Sequence, residues 1–246
     1  MNQSGVKHTE ESRLVENAAS APRRRTLVAS AHADQIKTRE RVRDLAEVYT
    51  HKREVDAMLD LVSDMFPRDE NPGNTDRKFL EPAAGSGNFL EEILRRKLAY
   101  VTVYRYRQAS VYEHRVLRAL ASIYAIDIDP ENVQECKDRL RAVINSHLDN
   151  DSNTRVASEG FATAAEVILG TNIICADTLK DAQAIEFVDY QPGPRGTFVR
   201  EWSMLASPGN QLNLFGRPKR DETPVHYSQL ATFPGPVTGV IVRGSQ

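Results

Sequence analysis

Residues 79–90 carry the strongest chemical signal in the chain and read Phe-Leu-Glu-Pro-Ala-Ala-Gly-Ser-Gly-Asn-Phe-Leu. The pattern predicts a short apolar strand, a turn of small residues, and a helix that opens at about Asn88. Gly85 and Gly87 are free to adopt positive φ and let a ligand approach bare backbone. The unpaired N–H groups of the following helix are donors for a polar ligand. The segment indicates a nucleotide-type pocket, although a turn that only joins strand to helix has the same local pattern.

The residues around the two glycines narrow the choice of ligand. A dinucleotide-binding turn carries a third glycine three residues after the second, and this chain has Leu90 there. Glu81 directly precedes the turn, where a carboxylate is placed to pair with a cationic amino group. S-adenosylmethionine carries such a group. The sequence therefore favours S-adenosylmethionine over a dinucleotide.

Two further acids follow predicted strands. Residues 122–129 read as a buried strand that ends in Asp127, and residues 172–176 read as a third strand followed by Asp177. Because strands alternate with helices, the pattern predicts a parallel, doubly wound sheet, whose ligands bind outside the carboxyl ends of the strands. Asp127 is suited to accept both hydroxyls of a ribose, since a carboxylate offers only acceptors, and Asp177 is suited to accept from an adenine amino group. Each acid alone is equally typical of a helix cap.

Apolar spacing predicts the helices that connect these strands. The first has Thr50 as its cap and ends at Pro67. Another begins after Asp129, with proline at its first helical position. A short helix over 161–169 precedes the third strand, and Gly170 is placed to terminate it.

An insertion separates the glycine turn from the second acid. Gly87 and Asp127 are 40 residues apart, about twice the usual spacing, and a helix predicted over 108–121 supplies the excess. The segment before that helix mixes two residue types, at Tyr100, Tyr104, Arg105, Tyr106 and Arg107. Such side chains suit base stacking and phosphate pairing. Packing of the tyrosines on the sheet, with the arginines in water, explains the same pattern and is the favoured interpretation.

Composition limits the classes of protein to which the chain can belong. The 246 residues hold 32 Lys and Arg against 34 Asp and Glu, for a formal net charge of −2, so DNA contact would have to come from local basic patches. The sequence has no apolar run of membrane-span length and no secretory leader, which predicts a cytoplasmic protein without a membrane. Cys136 and Cys175 are expected to be reduced thiols. The scattered histidines and cysteines predict no metal site.

Four segments together resemble the adenine-N6 DNA methyltransferases of restriction–modification systems. Residues 81–90 are similar to the cofactor motif of that family. Residues 45–50 (Leu-Ala-Glu-Val-Tyr-Thr) look like the segment whose backbone closes over the methionine end of the cofactor. Residues 123–133 resemble the ribose-binding strand and helix, and residues 172–177 resemble the strand on the adenine side. The resemblance covers residues 45 to about 180.

This resemblance implies a Rossmann-like methyltransferase core that uses S-adenosylmethionine and acts on double-stranded DNA. The domain would span 45–190, with a polar extension over 1–44 that contains a basic run at 23–25, and an irregular, Pro/Gly-rich region over 191–246. The residues expected at the cofactor are Tyr49, Thr50, Glu81, Ala83, Gly85, Gly87, Asn88, Phe89, Asp127, Ile128 and Asp177.

The catalytic motif of the family, Asn/Asp-Pro-Pro-Tyr/Phe, does not occur in the sequence. In that motif an oxygen accepts from the target amino group while the aromatic ring stacks on a flipped base. The nearest candidates by position are Asp189 and Gln191 as acceptors and Tyr190 as the stacking ring, although a degenerate strand-to-loop junction explains them better. The second half of the sheet is not predicted either.

Three functions remain open at this stage. The first is a DNA adenine-N6 methyltransferase, or one of its subunits, in which a second polypeptide supplies the missing motif and half-sheet. The second is a catalytically inactive cofactor-binding or assembly subunit of a DNA modification or defence complex. Methylation of RNA, protein or a small molecule has no residue evidence beyond the shared cofactor pocket.

Overall fold

The computed structural model of the protein describes residues 50–150, 157–205, 219–233 and 239–240. They belong to one compact unit, Thr50–Gln246. Tyr49 and the predicted extension over 1–44, with its basic run, lie outside the described residues. None of the helices in these ranges has the length and apolar composition that a membrane span requires.

Within the described ranges, three short parallel strands form the central sheet, and five α-helices accompany them. The strands are β1 (Phe79–Glu81), β2 (Ile123–Asp127) and β3 (Ile173–Cys175), in the order β1-β2-β3. The helices are α1 (Lys52–Asp60), α2 (Asn88–Leu98), α3 (Ala109–Ala121), α4 (Pro130–Asn150) and α5 (Glu159–Asn172). This order confirms the predicted α/β alternation with a parallel sheet.

The central strand β2 is buried on both faces. Successive side chains of a strand point to opposite sides, so Ile123 and Ala125 join the large cluster formed with the helices. Tyr124 and Ile126 join a second cluster, which includes Phe187 from the C-terminal part of the chain. Burial on both faces explains why this strand reads as a continuous apolar run.

The C-terminal part differs from the irregular region that the sequence predicts. Here β4 (Ile185–Pro192) and β5 (Thr197–Met204) pair antiparallel, and β6 (Val225–His226) and β7 (Gly239–Val240) flank them in the order β6-β5-β4-β7. The predicted boundary after residue 190 falls inside β4. Prolines exclude a long helix but not this hairpin, because Pro192 is the last residue of its strand. Arg195 and Gly196, with φ of 54° and 78°, make the turn.

Three predicted helix ends are also wrong. α1 ends at Asp60, before the predicted end at Pro67, and a separate 3-10 turn covers Ser63–Met65. His51, not Thr50, occupies the N-cap position of α1, and its side chain makes no capping hydrogen bond. Gly170 lies inside α5, which continues to Asn172. Tertiary contacts extend this helix, because the buried Asn172 amide donates to the Ala121 carbonyl and accepts from the Val188 N–H.

A lysine without solvent exposure joins α2 to the segments that enter β1 and β2. The Lys97 Nζ atom lies 2.8 Å from the Thr75 carbonyl oxygen, 2.5 Å from that of Arg77, and 2.8 Å from the Ser122 hydroxyl. Burial lowers the pKa of Lys97 to about 7. Three acceptors satisfy the ammonium group, yet its removal from water still disfavours the charge.

Two further buried polar groups join the C-terminal part to the helices and to the hairpin. Glu113 on α3 accepts from the Ser158 N–H and hydroxyl, both at 2.8 Å, and from the Tyr227 hydroxyl at 2.5 Å. Arg200 on β5 forms an ion pair with Asp221 at 2.8 Å, with both side chains largely buried. Removal of one side chain from either contact would leave the other as a buried polar group without its hydrogen-bond partner.

The Lys97→Met variant is expected to change how stability depends on pH. The pKa of Lys97 in the folded protein, about 7, lies below its ordinary value of 10.5. Between these values the unfolded chain binds more protons, so the contribution of Lys97 to folding rises with pH. Urea unfolding across this interval should show a rise in wild-type stability that Lys97→Met lacks. Parallel pH profiles for the two proteins would contradict the burial of a titrating lysine.

Candidate cofactor site

The glycine turn between β1 and α2 is bound to the neighbouring strand. The Ala84 N–H donates to the Ile126 carbonyl at 2.9 Å, and the Gly87 N–H donates to the Ala84 carbonyl at 3.0 Å. Gly85 has a φ of 52° and Gly87 a φ of 90°, in the left-handed region that favours glycine. The turn therefore has the backbone conformation that its two glycines predict.

Gly87 also sets the distance between α2 and α4. A Cβ atom built at Gly87 would lie 2.7 Å from the Sγ atom of Cys136 and 3.2 Å from its Cα, whereas one at Gly85 would meet nothing within 4 Å. The second glycine of the turn thus allows the close packing that a third glycine allows in dinucleotide-binding folds. Leu90, at that third position, is fully buried in the core.

Asp127 connects the second strand to the glycine turn. Its Oδ2 atom accepts from the Gly85 N–H at 2.7 Å, and its Oδ1 atom accepts from the Asp129 N–H at 2.9 Å and from the Asn132 amide at 3.3 Å. A carboxylate has about four acceptor sites, and these donors occupy three. One acceptor site remains for a ligand. Hydrogen bonds to both hydroxyls of a ribose would therefore require the loss of one of the three internal hydrogen bonds.

Glu81 lies at the start of the turn, and its carboxylate makes few hydrogen bonds within the protein. Among the described residues, its carboxylate accepts one hydrogen bond, from the Ala83 N–H at 3.2 Å to Oε1. The side chain is half-buried, and burial raises the pKa of Glu81 above its ordinary value. A cationic ligand group beside it would restore the stability of the charged form.

Asp177 follows β3 and organises its own loop. The carboxylate accepts from the N–H groups of Leu179 and Lys180, and it forms an ion pair with the Lys180 side chain at 3.0 Å. The hydrogen bond from Lys180 lowers the pKa of Asp177. In the same loop, the Thr178 hydroxyl donates to the Pro82 carbonyl at 2.6 Å, which ties the loop to the glycine turn. Asp177 therefore lies at the predicted edge, but its carboxylate is engaged within its own turn.

The remaining candidates surround the start of α2. The Asn88 amide donates to the Thr50 carbonyl at 3.5 Å, while its oxygen accepts from the Arg139 guanidinium at 2.7 Å. Phe89 packs partly into the core, and Ile128 is 52% exposed at the edge. Arg139 was not a predicted residue, since nothing in the polar face of a helix marks an arginine that reaches across to a neighbour.

The candidate catalytic residues lie at the other end of the sheet. Asp189 forms an ion pair at 2.7 Å with Lys78, which immediately precedes β1. The Tyr190 hydroxyl lies 2.9 Å from the Thr171 hydroxyl, just before β3. Gln191 bonds to Glu201. All three belong to strand β4, not to a catalytic loop, and they line a cleft of about 280 Å³ at the amino ends of the strands. The structure does not bring them together with Glu81, Asp127 and Asp177.

No group of three or more His, Cys, Asp or Glu side chains within the described ranges is arranged to hold a metal ion. The comparisons with family models, curated proteins and solved structures found no match. The chemistry of the carboxyl edge therefore carries the functional argument.

Replacing the two glycines separately should separate backbone strain from steric overlap. Gly85→Ala introduces only left-handed strain, with an expected loss of about 1 kcal/mol in the free energy of unfolding. Gly87→Ala adds overlap with Cys136 and should cost about 3 kcal/mol. Urea denaturation measures both.

A double-mutant cycle with Cys136→Ala tests the source of that difference. Removal of the Sγ atom should recover part of the loss in Gly87→Ala and none of the loss in Gly85→Ala. Equal losses for the two glycine variants would contradict the close approach of α2 and α4.

Proposed function

We propose that the carboxyl edge of the parallel sheet binds S-adenosylmethionine, as the cofactor-binding part of an adenine-N6 DNA methyltransferase of the restriction–modification type. The hydrogen bond between the Gly85 N–H and the Asp127 carboxylate carries this proposal. It joins the turn after β1 to the acid that ends β2 at 2.7 Å, so the two motifs lie side by side at one edge of the sheet. The parallel order β1-β2-β3 is compatible with a Rossmann-like core.

The side chains at this edge fit the chemistry of that cofactor. Glu81 offers a half-buried carboxylate with spare acceptor capacity to the ammonium of the methionine end. Asp127 offers its remaining acceptor site to the ribose, and Ile128 offers apolar surface to the adenine. When bound, the cofactor supplies a methyl group on a sulfonium. The residues named here bind and orient it, which is the main requirement of a direct displacement.

Duplex DNA is the proposed methyl acceptor, on the sequence resemblance alone. Transfer to adenine requires an oxygen that accepts from the target amino group and leaves its lone pair available. Asp189 does not meet this requirement, because Lys78 holds its carboxylate at the amino ends of the strands. We assign the acceptor role to a second polypeptide that supplies the Asn/Asp-Pro-Pro-Tyr/Phe motif.

A second candidate function is a catalytically inactive subunit that binds the cofactor or assembles a DNA modification or defence complex. The observation that favours it is the structural use of the catalytic candidates. Asp189 holds Lys78, and the buried Tyr190 bonds to Thr171. Both side chains connect the hairpin to the sheet and contribute to the fold without any substrate.

Calorimetric titration with S-adenosylmethionine tests the cofactor site. Glu81→Gln should weaken binding roughly tenfold, the scale of one hydrogen bond to a charged group, and Asp127→Ala should weaken it by about 1–3 kcal/mol. Glu159→Gln, an exposed change at the start of α5, should bind like wild type. Because the pKa of Glu81 is raised, wild-type affinity should fall as the pH is lowered towards that pKa, and Glu81→Gln should lose this dependence. No binding by folded wild-type protein would refute the proposal.

Transfer of labelled methyl groups to mixed-sequence duplex DNA tests whether the chain is active without a second polypeptide. If the chain binds cofactor but transfers no methyl group alone, the inactive subunit or the two-chain enzyme is supported. Asp189→Asn should leave cofactor affinity unchanged, because Asp189 lies at the opposite edge. Transfer by wild type that Asp189→Asn abolishes would show that the assignment of the acceptor role to a second chain is wrong.

A further inference from the structure

Residues 95–124 form a strongly basic stretch in a chain of nearly balanced charge. This stretch holds seven Lys and Arg residues and a single acid, Glu113. Glu113 is buried and accepts from Ser158 and Tyr227, so it does not offset these charges at the surface.

Four of the seven cations lie on α2 or near the end of α3. Arg95 pairs with Glu91, Arg96 pairs with Asp60 and Glu92, Lys97 is buried, and Arg118 pairs with Asp76. The other three, Arg105, Arg107 and Arg115, lie on or beside the loop that joins α2 to α3. Together with Tyr104 and Tyr106 they form what we term the basic–aromatic loop.

This loop is anchored at both sides of its tip. Val101 is fully buried, its N–H donates to the Leu98 carbonyl at 2.8 Å, and its own carbonyl lies 2.7 Å from the His147 ring. The Tyr106 N–H donates to the Thr102 carbonyl at 2.9 Å, and its ring packs partly on the core. The tip residue Tyr104 is left 83% exposed. A large ring that an anchored loop holds in water does not contribute the free energy of apolar burial, so its exposure does not stabilise the fold.

Each tyrosine of the loop lies against an arginine. The Arg107 guanidinium is 5.9 Å from the centre of the Tyr104 ring, and the Arg115 guanidinium is 5.0 Å from that of Tyr106. Such cation–π pairs orient the guanidinium groups. The Arg107 side chain is exposed, and that of Arg115 is partly buried. Rings and arginines interleaved in this way are the features with which proteins bind bases and phosphates of single-stranded nucleic acid.

We propose that the basic–aromatic loop binds nucleic acid, with an unpaired base stacked on Tyr104 and phosphates on Arg105, Arg107 and Arg115. The loop begins at the end of α2, whose 11 residues place it about 16 Å along the helix from the glycine turn. The loop is therefore a docking surface separate from the cofactor edge. The inference uses different residues from the proposed function and stands independently of it.

Fluorescence anisotropy with a labelled single-stranded oligonucleotide and its duplex tests this surface. Tyr104→Ala should weaken single-strand binding roughly tenfold, whereas Tyr104→Phe should keep it, since stacking needs the ring and not the hydroxyl. The double variant Arg105→Gln with Arg107→Gln should reduce the slope of log affinity against log salt by about 1.4, since each lost phosphate contact contributes about 0.7. Arg53→Gln is the matched control, because this arginine is 90% exposed on α1.

The outcomes distinguish binding by base stacking, binding by charge, and no binding at this loop. Weaker single-strand binding in Tyr104→Ala and a reduced salt slope in the arginine variant would support the proposal. Absence of binding by wild type, or equal loss in Arg53→Gln, would overturn it. Duplex binding that exceeds single-strand binding and ignores Tyr104→Ala would overturn the stacking role. All variants should titrate S-adenosylmethionine as wild type does, so this proposal and the cofactor proposal can fail separately.

Discussion

One hydrogen bond, from the Gly85 N–H to the Asp127 carboxylate, holds together the parts on which the candidate site depends. It joins two segments 42 positions apart in sequence at 2.7 Å. The same carboxylate accepts from Asp129 and Asn132 at the start of α4. The turn, the end of β2 and the beginning of the next helix therefore share one acceptor. A change at Asp127 would disturb all three, so its effects on binding and on folding must be measured separately.

The two ends of the parallel sheet have different tasks. The carboxyl end carries groups with unused acceptor capacity, above all Glu81. The amino end carries groups that pair within the fold, such as Lys97 with its three acceptors and Asp189 with Lys78. The groups that can bind a ligand therefore lie at the carboxyl end, and the groups that stabilise the fold lie at the amino end, as expected for an open α/β sheet.

Local sequence patterns predicted the parts of this fold whose cause is local. A short apolar run before an acid predicts each strand of the parallel sheet, and Gly85 and Gly87 predict the turn through their backbone freedom. The β4–β5 hairpin was not predicted, because its prolines indicate irregular structure unless the pairing partner is known. The burial of Lys97 and the reach of Arg139 to Asn88 depend on distant contacts and leave no signal in the sequence. Asp189 matches the catalytic motif only in residue type and approximate position, and its location at the other edge is a property of the folded chain alone.

The buried pairs of the C-terminal part also have a consequence for the order in which a growing chain completes its core. The parallel sheet and its helices are synthesised by residue 175, but Glu113 meets Tyr227, and Arg200 meets Asp221, only later. Until Tyr227 and Asp221 are synthesised, the Glu113 carboxylate has its Ser158 donors but not the Tyr227 hydroxyl, and the Arg200 guanidinium lacks the Asp221 carboxylate. We therefore expect the surroundings of these two groups to be the last part of the core to be buried.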